Sequence, residues 1–399
     1  MKMRPVFAVA AAAAVVFGAC SSAASPAPSA QPPASTGASA APTAAGSAAP
    51  SAAAGPAATV KLQLQWAPQA QFAGYFAADK QGYFAAEGLT VTVVPGGPDV
   101  IPQAVGSQPD GPEFTISWVP KVLEARESGS DLVDIAQVFQ RSGTLSVSWK
   151  SSNITGPADF AGKKVGVWDF GNEFEVTAGA LGEGLTPGLE AGGDPKKQFQ
   201  KVIQPFDMKL LLSKEIDVAE AMIYNEYAQL LETTNPETGA LYSPDDLNII
   251  NWNDYRVAML QDAIFVRKAW LDKEGNRDIA VRFVRASLKG WMYCRDHADD
   301  CVKYTTDAGS QLGAGHQAWM MNEVNALVWP SPLGVGVIDP VFWQQTVKVA
   351  TNAGVIKKLP GIDAYDTSIV ADALKSITDG DTKGESFKKG TVAVTPNGN

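Results

Sequence analysis

The segment 60–89 changes its hydrophobic period partway along, and that change constrains the fold more than any other feature of the chain. Val60, Leu62 and Leu64 alternate with Lys61, Gln63 and Gln65, which lays the apolar set on one face of a β-strand. From Phe72 the spacing becomes helical, through Tyr75, Phe76 and Asp79-Lys80, and Gly82 is placed to end the helix in a left-handed cap. The turn between the two lies at the carboxyl end of the strand, where open α/β sheets bind ligands. Trp66, Gln69 and Gln71 fall on that turn, whereas Phe76 and Phe84 are expected to pack in the core.

Alternating strand and helix patterns continue through the body, which argues for parallel sheets covered on both faces. Strands are expected at 90–94, 114–118 and 132–139 in a first lobe. After Gly143 the strand 145–149 leads into a second lobe with strands at 164–168, 201–204, 220–223 and 247–251, and 259–266 reads as the returning strand. From Asn276 to Leu374 the chain reads as helical, with amphipathic runs around Phe283 to Trp291 and Trp319 to Val328. The expected organisation is lobe 1 at 59–144, lobe 2 at 145–257, a return to lobe 1 at 258–377, and a flexible tail at 378–399.

The amino-terminal end has a different character. Met1-Lys-Met-Arg4 is basic, Val6 to Phe17 is a short apolar run, and Gly18-Ala19 precede Cys20. Residues 1–20 therefore read as a bacterial lipoprotein signal with Cys20 as the lipidated residue; plain secretion is the alternative, because Phe17 departs from the aliphatic residue usual at that position. Residues 21–58 are almost entirely Ala, Ser, Pro, Gly and Thr and read as a tether, with a reach on the order of 100 Å if extended at about 3.1 Å per residue. A net charge of −10 without a basic stripe argues against nucleic acid.

Besides Cys20 the chain has one pair of cysteines, Cys294 and Cys301. On one unbroken helix they would be too far apart to bond, but Asp296 to Asp300 reads as a helix stop and a new N-cap that would bring them together. A disulfide and two buried thiols are both compatible with the pattern. With only His297 and His316 available, no metal site is expected.

The opening block also resembles a known family. Trp66-Ala-Pro68, Phe72-Ala-Gly-Tyr75-Phe76-Ala-Ala78, Gly82-Tyr-Phe-Ala-Ala-Glu-Gly-Leu89 and Gly96-Gly97-Pro98-Asp99 are similar to the opening motifs of the binding proteins for thiamine pyrimidine precursors, a superfamily with riboflavin-, alkanesulfonate- and nitrate-type members. The resemblance continues more loosely to about Gly354. It implies the type II periplasmic-binding-protein fold, an α/β architecture of two doubly wound lobes joined by two crossovers with a carboxyl-terminal helical cap, and hinge closure on a ligand.

The candidate ligand contacts are the residues at strand ends. They are Trp66, Gln69, Gly97, Asp99, Ser117 and Trp118 from the first lobe, Arg141 and Thr144 from the crossover, and Trp168, Asn172, Glu173, Tyr224, Asn225 and Glu226 from the second. Arg141 reads more readily as a brace for a hinge carboxylate than as a ligand contact, and Asn172 reads equally as a cap of the helix that follows. Aromatic faces for stacking, with amide and carboxyl groups to read an edge, suit a flat nitrogen-rich ring. A sulfonate or nitrate would call for more cations than Arg141 alone. The runs 137–143, 165–175 and 221–227 look more like the riboflavin branch than the pyrimidine branch.

The resemblance further implies an extracytoplasmic, lipid-anchored, monomeric receptor without a cofactor, delivering its solute to an ABC permease and ATPase or, alternatively, feeding a sensor. A catalytic alternative on the same fold makes the thiamine pyrimidine from its own histidine and bound pyridoxal phosphate. It needs a Cys-Cys-Cys-Phe-Cys motif that is not found here.

Overall fold

The structure, a computed structural model, describes residues 55–169, 171–189 and 193–399. The expected signal segment, lipidation at Cys20 and the tether up to residue 54 lie outside the described residues. Among those described, the strands form two sheets. β1 (Ala58–Gln63), β2 (Leu89–Val94), β3 (Phe114–Ser117), β4 (Leu132–Gln137) and β11 (Ala263–Arg267) make one, in the order β2-β1-β3-β11-β4. The second contains β5 (Thr144–Trp149), β6 (Lys164–Val167), β7 (Thr186–Pro187), β8 (Gln198–Ile203), β9 (Val218–Met222) and β10 (Leu247–Asn251), in the order β10-β5-β9-β6-β8-β7.

Both sheets are mixed, not purely parallel as the alternation suggests. β5 runs antiparallel to β9 and β10, and β11 runs antiparallel to β3 and β4. The reason is topological: each crossing strand enters its new sheet from the end that faces the other sheet. That register positions the site. Pairing of Ala263 with Ser117 sets Asp262 beside Trp118, and pairing of Thr144 with Met222 sets Gly143 beside the turn after β9. β11 starts four residues later than its apolar run suggests, because the preceding residues belong to the crossover and Asp262 has a φ of 37°. β8 starts three residues earlier than expected.

The central strands β3 and β11, and β4 beside them at the edge, are buried along their whole length, as expected for strands covered on both faces. Helix Ala73–Lys80 packs on the long helix Asn276–Asp296, and the contact explains one motif glycine. A Cβ on Gly74 would lie 2.3 Å from the Trp291 ring, while Tyr75 meets that ring edge-on at 5.7 Å. Phe76 and Phe84 are buried, and Gly82 has a φ of 72°. The long helix ends at Asp296 and a new one begins at Ala298, and across the break Cys294 and Cys301 form a disulfide with their Cα atoms 5.5 Å apart.

The segment 378–399 is not a free tail. Thr382 and Lys383 accept backbone hydrogen bonds from Val335 and Ser331, Lys389 pairs with the buried Glu323, Val394 packs on the core of the second sheet, and Asn397 donates to the Glu232 carbonyl. Its polar composition suggests fraying, but the backbone groups and a buried carboxylate across the fold supply partners that composition does not reveal.

Candidate ligand-binding site

The carboxyl ends of β1 and β3, neighbours where the strand order reverses, lead into Trp66 and Trp118; those of β6, β8 and β9 lead into Trp168, Phe206 and Tyr224. These five aromatics line one cavity of about 700 Å3, its open mouth included, between the two sheets. Only about 80 Å3 of that space admits the centre of a water molecule, so the cleft is narrow where its two walls meet.

The wall on the first sheet is held by hydrogen bonds. Gln69 donates to Gln71 (2.6 Å), Gln71 to Asp262 Oδ1 (2.8 Å), and the Trp118 indole to Asp262 Oδ2 (2.9 Å). Burial pushes the Asp262 carboxyl up to about 7, opposed by the two donors and by the Lys121 charge. Gln65 also faces the cavity, and its buried Oε1 has no partner among the described residues. The Gly96–Asp99 loop closes over Trp66 through a bond from Gly96 N to the Trp66 carbonyl (3.0 Å). Only glycine permits it, since a Cβ at 96 would lie 2.6 Å from the Leu64 carbonyl.

The opposite wall is built on the turns after β6, β8 and β9. The Trp168 amide donates to Glu220 (2.8 Å) and its indole to the Pro205 carbonyl (3.1 Å), which fixes the ring. Phe206 stacks on Trp168 (5.6 Å between centroids) and reaches across the cleft to Trp66 (4.4 Å), so the two walls touch at the mouth. Glu226 accepts from Met222 N (3.0 Å) and Asn225 Nδ2 (2.8 Å). Burial pushes its carboxyl up to about 7, so near neutrality it can either donate or accept. Behind it, His316 Nε2 donates to Asn225 Oδ1 (3.0 Å) and Nδ1 pairs with Glu232 (2.8 Å), tying the helical cap to this wall.

Of the expected contacts, Trp66, Gln69, Gly97, Trp118, Trp168, Asn172, Tyr224, Asn225 and Glu226 line the cavity. Asp99, Ser117, Arg141, Thr144 and Glu173 do not. Asp99 is exposed, and Ser117 is buried one layer back, donating to Gln103 (3.4 Å). Glu173 takes the Gly171 amide (3.0 Å) and stands at the start of helix Phe174–Gly182. Asn172 is not that helix's cap: its Nδ2 donates to the Asp169 carbonyl (2.7 Å), and its Oδ1 accepts from Lys121 (2.8 Å) across the cleft.

Arg141 lies away from the cavity and, among the described residues, braces no carboxylate. It donates to the carbonyls of Leu327 (3.4 Å) and Pro330 (2.9 Å), satisfying the end of helix Ala314–Val328. Thr144 belongs to the seam between the crossovers, where Gln261 donates to the hydroxyls of Thr144 (2.7 Å) and Ser142 (3.0 Å) and accepts from Gly143 N (2.9 Å). The carboxylate at that seam is Glu175, which takes the Ser142 hydroxyl (2.7 Å) and the Met259 amide; burial pushes it up to about 7.

Lys121, Phe206 and Asp262 are site groups that the residue patterns did not single out. Lys121 is the cation of the cavity, buried beside the Trp118 ring with its ammonium 4.4 Å from the centroid and pulled down to about 8 by burial. Phe206 carried a usable signal, an aromatic just past a strand end like Trp168.

Residues 69–301 match the family described as NMT1/THI5 like. The chain is 24% identical over 308 residues to the riboflavin-binding protein RibY of Chloroflexus aurantiacus, which spans 74% of this chain and 81% of that protein. It is 24% identical over 250 residues to the formylaminopyrimidine-binding protein of Halalkalibacterium halodurans, spanning 61% and 68%. Among solved structures, the fold is similar to the alkanesulfonate-binding protein SsuA of Xanthomonas axonopodis pv. citri (TM-score 0.55, 11% identity, 79% of this chain and 100% of that one). It is also similar to the periplasmic aliphatic sulphonate binding protein SsuA of Escherichia coli (TM-score 0.53, 12% identity, 77% and 90%). At such identities these structural likenesses speak to the fold alone, which is that of the periplasmic binding proteins.

Proposed function

This chain belongs to the NMT1/THI5-like family, and from that premise we propose that it is the solute-capturing component of an ABC importer, closing its two lobes on a flat nitrogen-containing heteroaromatic vitamin or vitamin precursor. The observation that carries this reading is the cavity between the sheets, with two aromatic residues on one wall and three on the other, amides between them, and one ionisable group of each sign, Lys121 and Glu226. Aromatic faces stack on a flat ring, and amides with a carboxyl read its edge. A sulfonate fits poorly: the cavity's cation is offset by Glu226, and Arg141 points elsewhere.

The riboflavin- and formylaminopyrimidine-binding relatives support this ligand class. Export, anchoring through Cys20 and delivery to a permease and its ATPase complete the proposal, with 59–144 and 258–377 as one lobe and 145–257 as the other. A catalytic reading finds no comparable support, because His316 stands behind Asn225 with both ring nitrogens engaged. Calorimetric titration of the purified chain with riboflavin and with formylaminopyrimidine tests the proposal. One-to-one binding of either is expected, and heat from neither would refute it.

A further inference from the structure

We propose that Phe206 is an internal plug, whose ring fills the slot between the two walls that the ligand's ring takes and swings out toward solvent when the ligand binds; the inference rests on the heteroaromatic reading of the cavity. The Phe206 ring stacks on Trp168 of the second wall, with centroids 5.6 Å and planes 20° apart, and lies 4.4 Å from the Trp66 ring of the first. It stands against both indoles at once, which is the placement proposed for the ligand. Trp168 lines the cavity yet is only 2% exposed, so the stacked Phe206 takes up the face that a ligand would need. Beside it the free space is narrow, about 80 Å3 to the centre of a water molecule. A flat ring that stacks on Trp168 therefore has to take the place of Phe206.

Phe206 is held more lightly than the residues around it. Gln204 donates its amide to the Val167 carbonyl (2.9 Å), and its side chain makes two hydrogen bonds to the Glu220 backbone (2.9 and 3.0 Å). The Pro205 carbonyl takes the Trp168 indole (3.1 Å), and Met208 is buried in the core of the second sheet. Between these anchors the Phe206 N–H and carbonyl make no hydrogen bond among the described residues, and the residue is 39% exposed at the mouth of the cleft. Swinging the ring out breaks two ring contacts and no hydrogen bond. Another flat ring replaces those contacts, whereas a solute without one has nothing to offer in exchange. The plug thus acts as a filter: a solute displaces it only by stacking better than a phenyl ring or by adding hydrogen bonds at its edge. Apparent affinity is lowered by the fraction of molecules in which the plug is in place.

A plug and a wall residue respond to substitution with opposite sign. Riboflavin and formylaminopyrimidine are titrated by calorimetry against the unaltered full chain, Phe206→Ala and Phe206→Trp, with association rates from stopped-flow tryptophan quenching. Phe206→Ala empties the slot and should tighten the ligand that binds by about fivefold or more, mainly through faster association. Phe206→Trp is a larger plug and should weaken that ligand by a similar factor. Weaker binding by Phe206→Ala would make Phe206 a stacking face for the ligand and overturn the plug; so would unchanged binding, since the ring would then not compete. Either result leaves the heteroaromatic reading standing, because the unaltered chain still binds. Failure of both ligands on all three chains removes that reading, and the plug with it.

Discussion

The two walls of the cleft use similar residues but are held in different ways. On the first sheet Trp118, Gln69 and Gln71 are joined through Asp262, which arrives on the crossover beside β3, so this wall is complete without help from the other lobe. On the second sheet Trp168 is fixed locally, but Asn225 leans on His316 of the helical cap and Asn172 on Lys121 of the first lobe. In the proposed hinge opening those cross-lobe bonds would break and the Asp262 network would stay intact. One wall would then be a preformed platform and the other would take its final geometry on closure, making the closed form selective for ligands that touch both.

The largest expected effect breaks the platform. Asp262→Ala leaves the Gln71 amide and the Trp118 indole buried without acceptors, and should lower unfolding stability by about 2–4 kcal/mol, read from the denaturant midpoint. An unchanged midpoint would mean the network is not what holds this wall. Next, His316→Leu removes the tie from cap to second wall. Ligand dissociation should quicken by about tenfold in stopped-flow fluorescence, with association much less affected; equal changes in both rates would contradict a closure role.

The seam between the lobes should respond to pH. Glu175 is raised from its ordinary 4.5 to about 7, so between those values the folded chain keeps a proton that the unfolded chain releases. Its share of stability is present below about pH 4.5, is lost as pH rises to about 7, and is level above. Asp262 and Glu226 titrate over the same range, so Glu175→Gln should reduce that slope in thermal melts from about pH 4.5 to 8 without abolishing it, and an unaltered slope would place the titration elsewhere. The smallest effect sharpens the boundary of the site. Arg141→Ala should cost about 1 kcal/mol through the freed helix-end carbonyls and leave ligand affinity within twofold.

Much of the fold was legible in the residues because the relevant signals are local. The period switch at 60–89 located β1 and its helix, and the polar break at 296–300 located the turn that lets Cys294 reach Cys301. The aromatic and amide residues that line the cavity lie within a few residues of strand ends, which is why Trp66, Trp118, Trp168 and Tyr224 could be named. Lys121 could not, since a lysine on an amphipathic helix reads as a solvated charge and its burial depends on the lobe opposite. Asp262 was hidden inside an apolar run that looks like one strand, and only the antiparallel entry of β11 sets it against Trp118. Gly74 belongs to the family-like block but serves packing, a role set by Trp291 more than 200 residues away.

In the proposed complex one flat ring is held by both walls at once. Riboflavin and formylaminopyrimidine titrations of the unaltered chain, Trp66→Ala and Trp168→Ala, followed by tryptophan quenching, test it most directly. For the ligand that binds, each substitution alone should weaken affinity by about tenfold or more, since each removes one stacking face. Tight binding by the unaltered chain that survives either substitution undiminished would place the ligand on a single wall and contradict the account.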